Sequence, residues 1–511
     1  MEKISSNKTI AKNTLFLYGR MLFNLVVSLY TSRVILQVLG VDDLGVYQVV
    51  AGIVAMFTFV NGSLAGATSR FLAFELGKND SQRLARTFAA TLNVHIVTAA
   101  IFFVVCETVG LWLVNYKLNI PAGREIAANV VYQASILMTM LSLVQSPYNA
   151  AIIAHERMKV FAYVGILDTI FKLIACYVLY ITPYDRLMVY GAALLTFTVV
   201  INLIYYVYCR RSFAECRFRW SADWSISKPI LVFSGWQLFG DFSLVTKNQG
   251  VNILLNLFYG VAINAACGFA NTVYGAIVGF ANNFMISIRP AITKSYSSGD
   301  YNRMNELIVL STKFAYSFML LLTVPFIFNC DYILKLWLKT PPEYTAVLCQ
   351  YSIYILLVAI CFSPIQYAIN ATGNNKLLSM IHGMALLIIL PISYFLLRHG
   401  YSPTAPFALT LAEEIIVGNT FPLMLKKNLS KFDIIGFYKK AVAPCVITTV
   451  LSFMILGFLH GLLLFRSSFF EFLTECLVSV AVIMTAVYFI VMNNQERNMV
   501  KVKICNLKRT I

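Results

Sequence analysis

The sequence predicts an all-α polytopic membrane protein of about fourteen transmembrane helices, built as two parallel six-helix repeats that form a V-shaped bundle, plus two extra C-terminal helices. Three observations predict it: charge is scarce, bilayer-length apolar runs recur along the whole chain, and the chain repeats itself at an offset of about 220 residues. Of the 511 residues, 59% are hydrophobic and only 12% are charged, with a mean hydropathy of +0.73. A soluble domain is about 25% charged because its surface must hold water, so a lipid-facing surface is the simplest account of the depletion.

A bilayer core takes roughly twenty apolar residues per helix. Runs of that size lie near Thr14–Leu39, Leu44–Ala65, Thr87–Val114, Ala127–Ile153, Phe161–Ile181 and Leu187–Tyr208. They resume near Ile230–Phe258, Ala262–Ile288, Leu307–Phe328, Tyr344–Ile369 and Leu377–Leu397, and end with Thr404–Leu425, Ile435–Leu459 and Phe470–Met492. The first run is too long for a signal-peptide core and no small-residue cleavage site follows it, so an uncleaved first span is expected.

Lys and Arg number 40 against 23 Asp and Glu. In a soluble protein that excess would suggest nucleic acid. Here the cations gather in alternate loops, at Lys78–Arg86, Arg157–Lys159, Arg210–Lys228, Lys426–Lys440 and in the tail, while the intervening loops hold few. The positive-inside rule then places both termini on the cytoplasmic side and leaves no role for nucleic acid.

The repeat has three anchors. Gly40-Val41 recurs as Gly260-Val261; Asn61, Arg70 and Gly77 recur as Asn282, Arg289 and Gly299; and Ser146-Pro147 with Lys159 recurs as Ser363-Pro364 with Lys376. Six helices per repeat is an even number, so the repeats are parallel and related by an axis along the membrane normal. The expected domains are an N-terminal lobe at 1–215, a C-terminal lobe at 216–430, and helices thirteen and fourteen with a basic tail at 431–511.

Enzyme chemistry finds no foothold in the sequence. There is no GxxxxGK[ST] loop, no HExxH and no GxSxG, and the longest loops are too short to fold as domains. The eleven Cys form no CxxC pair and mostly sit inside apolar runs. His95, His155, His382, His399 and His460 are isolated from one another in sequence. No metal and no cofactor are expected.

Ionisable residues inside spans are costly and must face a partner or a watery cavity. Arg20 and Arg33 lie in the first span and Asp241 and Lys247 in the seventh, helices that the repeat relates to each other. Arg20 and Arg33 are each open to two readings, snorkelling to headgroups or lining a cleft. Lys247 is near mid-span, where snorkelling fails, and is followed by Asn248, Gln249, Asn252 and Asn256. Those amides suit sugar hydroxyls, and interhelical hydrogen bonds equally. Arg70 and Arg289 are matched by the repeat and satisfy either the positive-inside rule or a cationic mouth. Asp168 and Lys172 are spaced i,i+4 and can neutralise each other. Glu107, Lys313 and the adjacent Glu413 and Glu414 complete the set; at least one of the last two is expected to be protonated or paired across the bundle, and they are open equally to proton or cation coupling and to a structural hydrogen bond.

Ser32-Arg33-Val34-Ile35-Leu36, Leu39-Gly40 and Leu44-Gly45-Val46-Tyr47 resemble the first-helix signature of bacterial polysaccharide flippases. The stretch from Arg70 to Gly77 resembles their second helix, and Lys247 to Asn256 is similar to the seventh helix of O-antigen and capsule flippases. Taken together these patterns resemble the multidrug/oligosaccharidyl-lipid/polysaccharide (MOP) exporter superfamily. The resemblance implies a flippase that moves undecaprenyl-pyrophosphate-linked oligosaccharide, an O-antigen, lipopolysaccharide, capsule or exopolysaccharide unit, from the cytoplasmic to the periplasmic leaflet by alternating access. It implies a cationic cavity and mouth at Arg20, Arg33, Arg70, Lys247 and Arg289, with Asn248 and Asn252 for sugars and Asp241, Glu413 and Glu414 as possible coupling or cavity acids. Membrane lipids, a coupling H+ or Na+, and a polysaccharide polymerase with chain-length machinery are the implied partners. A peptidoglycan-precursor flippase and a cation-coupled multidrug exporter remain as alternatives.

Overall fold

The computed structural model describes residues 7–55, 58–116, 120, 123–217, 223–462 and 469–498. Among them the chain is helical throughout, with no strand. The first half runs α1 (Asn7–Ala55), α2 (Thr58–Lys78), α3 (Ser81–Val105), α4 (Leu111–Tyr116), α5 (Glu125–Ala154), α6 (Met158–Ile181) and α7 (Arg186–Ser212). The second runs α8 (Trp224–Tyr259), α9 (Val261–Ser297), α10 (Tyr301–Phe328), α11 (Cys330–Leu338), α12 (Thr345–Thr372), α13 (Lys376–Arg398), α14 (Ala405–Gly418) and α15 (Phe421–Asn428). The chain closes with α16 (Ile434–Phe437), α17 (Ala443–Leu462) and α18 (Phe469–Ala486).

Among the described residues, eleven helices are long and apolar enough to cross a membrane. Helix α8 is not one of them, although its 36 residues would span about 54 Å at 1.5 Å per residue. Asp241, Lys247 and a run of amides dilute its hydropathy, so the helix richest in candidate binding groups is less apolar than the eleven, although the run Ile230–Phe258 marks it in the sequence.

The backbone carries the repeat. Gly40 breaks α1 with φ 77°, and Gly260 separates α8 from α9 with φ 78°. Left-handed backbone is open to glycine without steric cost, so the chain can end one helix and start the next within a single residue. Pro147 lies inside α5 and Pro364 inside α12, at the positions the repeat equates. Each proline removes one helical N–H donor.

The chain divides into two compact units: 1–242 with 286–300 and 373–376, and 243–285 with 301–372 and 377–511. In the first, α5 packs on α2, α3 and α7, and α6 packs on α1. Phe88, Leu92, Tyr148, Ile152 and Met158 are buried in one of its cores and Val131, Tyr132 and Ile136 in another. Arg124 pairs with Asp43 and Asp185, tying the segments that precede α5 and α7 to the start of the helical stretch after Gly40. In the second unit α12 packs on α10, α14 and α15, and α18 packs on α10 and α17. Its core gathers Leu255, Ala266, Leu334, Leu348, Leu386 and Ile389.

Candidate functional site

Three arginines of the first unit, Arg20, Arg70 and Arg289, rest against aromatic rings or a backbone carbonyl. Arg20 in α1 places its guanidinium carbon 4.2 Å from the ring centre of Phe161 in α6. Gly165, one turn on, leaves the room: a Cβ there would stand 2.6 Å from Arg20 Cδ. Arg70 in α2 is only 6% exposed and lies over Phe71, Phe74 and Phe233 at 4.5, 4.8 and 5.8 Å. Three aromatic faces offset part of the cost of burying that charge. Arg289 in α9 donates from Nη2 to the Gly66 carbonyl at 2.9 Å. Arg33 falls in α1, but its side chain lies outside the described residues.

Arg70 also borders a cavity of about 570 Å³ with Glu75, Lys78, Asp80, Arg83, Arg86 and Asp223. Its charges are mixed: Arg83 pairs with Glu75 at 3.3 Å, and Asp80 caps α3 through the Arg83 N–H. A hydrogen bond donated by Ser225 Oγ holds the exposed Asp223 carboxyl below the usual carboxylate range. Asp241 receives a 2.5 Å hydrogen bond from Ser63 Oγ in α2.

The second unit holds a different kind of site. A cavity of about 280 Å³ is lined by Lys247, Asn248 and Asn252 of α8, Asn271 and Tyr274 of α9, and Ser363 and Gln366 of α12. His382 of α13 and Thr410 and Glu414 of α14 close it. Asn248 and Asn252 share one face of α8 because residues four apart on a helix lie one above the other, and Lys247 reaches the cavity from the adjoining face. Lys247 interacts electrostatically with Glu413 and Glu414. Glu413 sits behind the lining, 8% exposed, with its Oε1 3.8 Å from His382 Nε2. The site thus offers one ammonium for an anion, several amides and hydroxyls for a polyhydroxylated ligand, and two carboxylates for a cation or proton.

Of the residues the sequence singled out, the structure brings Lys247, Asn248, Asn252 and Glu414 to one cavity, with Glu413 behind it. It places Arg20, Arg70, Arg289 and Asp241 in the other unit. Sequence reasoning missed His382, Tyr274, Asn271 and Gln366. His382 was set aside for lack of a sequence neighbour, yet α13 and α14 bring it to Glu413. A histidine and two acids in consecutive spans was the available signal.

Two further pairs of intramembrane charges neutralise each other. Lys172 Nζ lies 2.7 Å from Asp168 Oδ2, the i,i+4 contact their spacing predicts. Lys313 of α10 lies 2.7 Å from Glu496, beyond α18, with both side chains buried.

Residues 248–395 match the MatE family model. Solved transporters share the fold at low sequence identity. A MOP-superfamily transporter from Pyrococcus furiosus, described as having a binding pocket of reversed polarity that suggests a different function, aligns with a TM-score of 0.67 at 13% identity, covering 84% of this chain and 99% of its own. An outward-facing multidrug-resistance MATE transporter of the same superfamily gives 0.69 at 12%, covering 84% and 100%. The Vibrio cholerae MATE transporter VcmN, as a point mutant, gives 0.62 at 15%, covering 83% and 98%. No curated protein matches the chain. The chain is therefore a multi-pass helical membrane protein with the two-repeat fold of MOP-superfamily transporters.

Proposed function

From this transporter fold and the cavity of the second unit, we propose that the protein is a lipid-linked oligosaccharide flippase of the bacterial inner membrane, working by alternating access with both termini in the cytoplasm. One observation carries the reading: Lys247 stands in a cavity whose apolar walls, Leu244, Val251, Leu386 and Phe421 among them, are studded with the amides and hydroxyls of Asn248, Asn252, Asn271, Ser363, Gln366 and Thr410. An ammonium in a low-dielectric site attracts a pyrophosphate strongly. Amides that both donate and accept suit sugar hydroxyls. The polyprenyl tail stays in lipid, so the cavity has to hold only the head group and the sugars nearest it. An ion gradient or the membrane potential supplies the energy, and a polymerase with chain-length machinery receives the product.

The test is flipping in liposomes loaded with undecaprenyl-pyrophosphate-linked glycan, scored by accessibility to an impermeant glycosidase. Wild-type protein moves the glycan across. Lys247→Ala inserts normally and flips at least tenfold more slowly, equivalent to about 1.4 kcal/mol. Equal rates for the two proteins would sink the reading.

A second reading, a cation-coupled multidrug exporter, draws support from Glu414 on the wall of the same cavity and from the fold shared with multidrug-resistance transporters. It expects Glu414→Gln, and not Lys247→Ala, to restore drug sensitivity to cells that overproduce the protein.

A further inference from the structure

Two carboxylates, Glu413 and Glu414, interact with a single ammonium, Lys247. Counting charges leaves one uncompensated negative charge in a poorly solvated setting, a costly arrangement that a single proton would cancel. Three further observations locate that proton. Glu413 is more than nine-tenths buried, and neither of its carboxylate oxygens has a hydrogen-bond partner. His382 Nε2 is 3.8 Å from Glu413 Oε1, close enough for an ion pair and too far for a hydrogen bond. One ligand-capable atom each of His382, Glu413 and Glu414 lies within 4.8 Å of the others. His382 and Glu414 also line the cavity, so the buried Glu413 is reached from cavity water through them.

The groups facing this cluster come from four helices. Helix α8 contributes Lys247, α9 contributes Tyr274, which interacts electrostatically with Glu414, and α13 contributes His382. Helix α12 lines the cavity with Ser352, Ser363 and Gln366, none of which titrates. Lys247 is the ammonium that faces both carboxylates. A metal dication would meet that ammonium beside the same carboxylates; a proton fits the single missing charge.

We propose that Glu413, Glu414 and His382 form a proton-binding site linked positively to anion binding at Lys247, so that the anionic passenger and one proton load together. When an anion approaches Lys247 it competes with the carboxylates for the same ammonium and adds negative charge to the cavity. The carboxylate pair answers by taking one proton from cavity water, delivered directly or through the imidazole of His382, and Lys247 turns from the acids to the anion. The sign is opposite to competition between a cationic drug and a proton for one acid, in which loading one expels the other. The inference rests on the anionic-passenger reading above.

The experiment measures proton uptake by purified protein in weakly buffered detergent when farnesyl pyrophosphate is added as the probe, together with the probe's Kd across pH. The expected result is uptake of about one proton per probe bound and a Kd that weakens about tenfold per pH unit as pH rises. The double variant Glu413→Gln with Glu414→Gln, which imitates the protonated pair, should bind the probe with little pH dependence beyond that of the probe itself and take up no extra proton. Wild-type protein that binds the probe without proton uptake, or that needs sodium instead of a proton, overturns the linkage and leaves the passenger reading standing. No binding of the probe at all overturns both. Because wild-type protein alone can give the overturning result, the test does not depend on the double variant folding.

Discussion

The two units carry intramembrane cations, Arg20 and Lys247 among them on helices that the repeat relates, and use them in unlike ways. In the first unit Arg20 rests on Phe161, Arg70 on three phenylalanines and Arg289 on the Gly66 carbonyl. In the second, Lys247 faces a cavity and the fields of two acids. Guanidinium is planar and weakly hydrated, so it tolerates stacking and backbone contact, whereas ammonium is a compact charge that seeks a strong counter-ion. The difference teaches that a repeat conserves backbone breaks such as Gly40 and Gly260 while the chemistry hung on it diverges.

The largest expected effect on function tests that contrast directly. Lys247→Ala should lose at least tenfold in flipping, about 1.4 kcal/mol of function, while the protein still folds and inserts. Arg70→Ala should do the reverse, removing cation–π contacts worth about 2 kcal/mol when desolvated and lowering the Tm. Thermal melts in detergent beside liposome flipping rates check both. If Lys247→Ala unfolds the protein and Arg70→Ala leaves it stable but inactive, the roles of the two units are exchanged.

A second effect, larger in stability, sharpens the second unit's own division of labour. Lys313 and Glu496 are buried together at 2.7 Å, so Glu496→Gln leaves an uncompensated ammonium and should cost about 3–5 kcal/mol. Replacing both partners, Lys313→Met with Glu496→Leu, should recover most of that loss. Unequal melting of the single and double variants would show the pair to be a clamp that holds the segment after α18 against α10, with no part in binding.

Much of this was legible in the sequence. The apolar runs gave the helices because a bilayer leaves the backbone no partner but itself. The spacing of Gly40 from Gly260 and of Pro147 from Pro364 gave the repeat, and positive φ at both glycines is its physical content. The i,i+4 pair of Asp168 and Lys172 was readable because helix geometry alone sets it. What stayed hidden was long-range. His382 meets Glu413 across two helices, and Lys313 meets Glu496 at a separation of 183 residues. No local pattern encodes such meetings. Arg70 was readable as a cation at the end of a span, but not its burial nor the aromatic seat that partly comes from Phe233 in α8.

Packing within the first unit supplies a smaller effect. A Cβ on Gly77 of α2 would stand 1.7 Å from Ser297 Oγ and 2.7 Å from the Lys294 carbonyl oxygen. The hydroxyl can rotate away and the backbone cannot, so Gly77→Ala should cost about 1–3 kcal/mol through overpacking. Gly235, with open space around it, is the control, and Gly235→Ala should melt as wild type or slightly higher. A Gly77→Ala variant as stable as that control would mean that the contact between α2 and the end of α9 is loose.

The smallest effect lies at the helix ends of the first unit, outside the apolar spans. Asp185 caps α7 by accepting from the Met188 N–H at 3.0 Å and pairs with Arg124. Burial works to raise its carboxyl, but the Met188 N–H and the Arg124 guanidinium outweigh burial and hold it below its ordinary 3.8. A carboxyl lowered by folding stabilises the folded state fully above that ordinary value and loses the contribution as pH falls through the lowered one. Asp185→Asn keeps a good capping residue and removes the charge, so its cost near neutral pH should be no more than about 1 kcal/mol for a partly exposed pair. Melting temperatures of wild type and Asp185→Asn should converge in strong acid and separate near neutrality. A difference that persists unchanged in acid would assign the contribution of Asp185 to the cap alone and leave Arg124 held by Asp43.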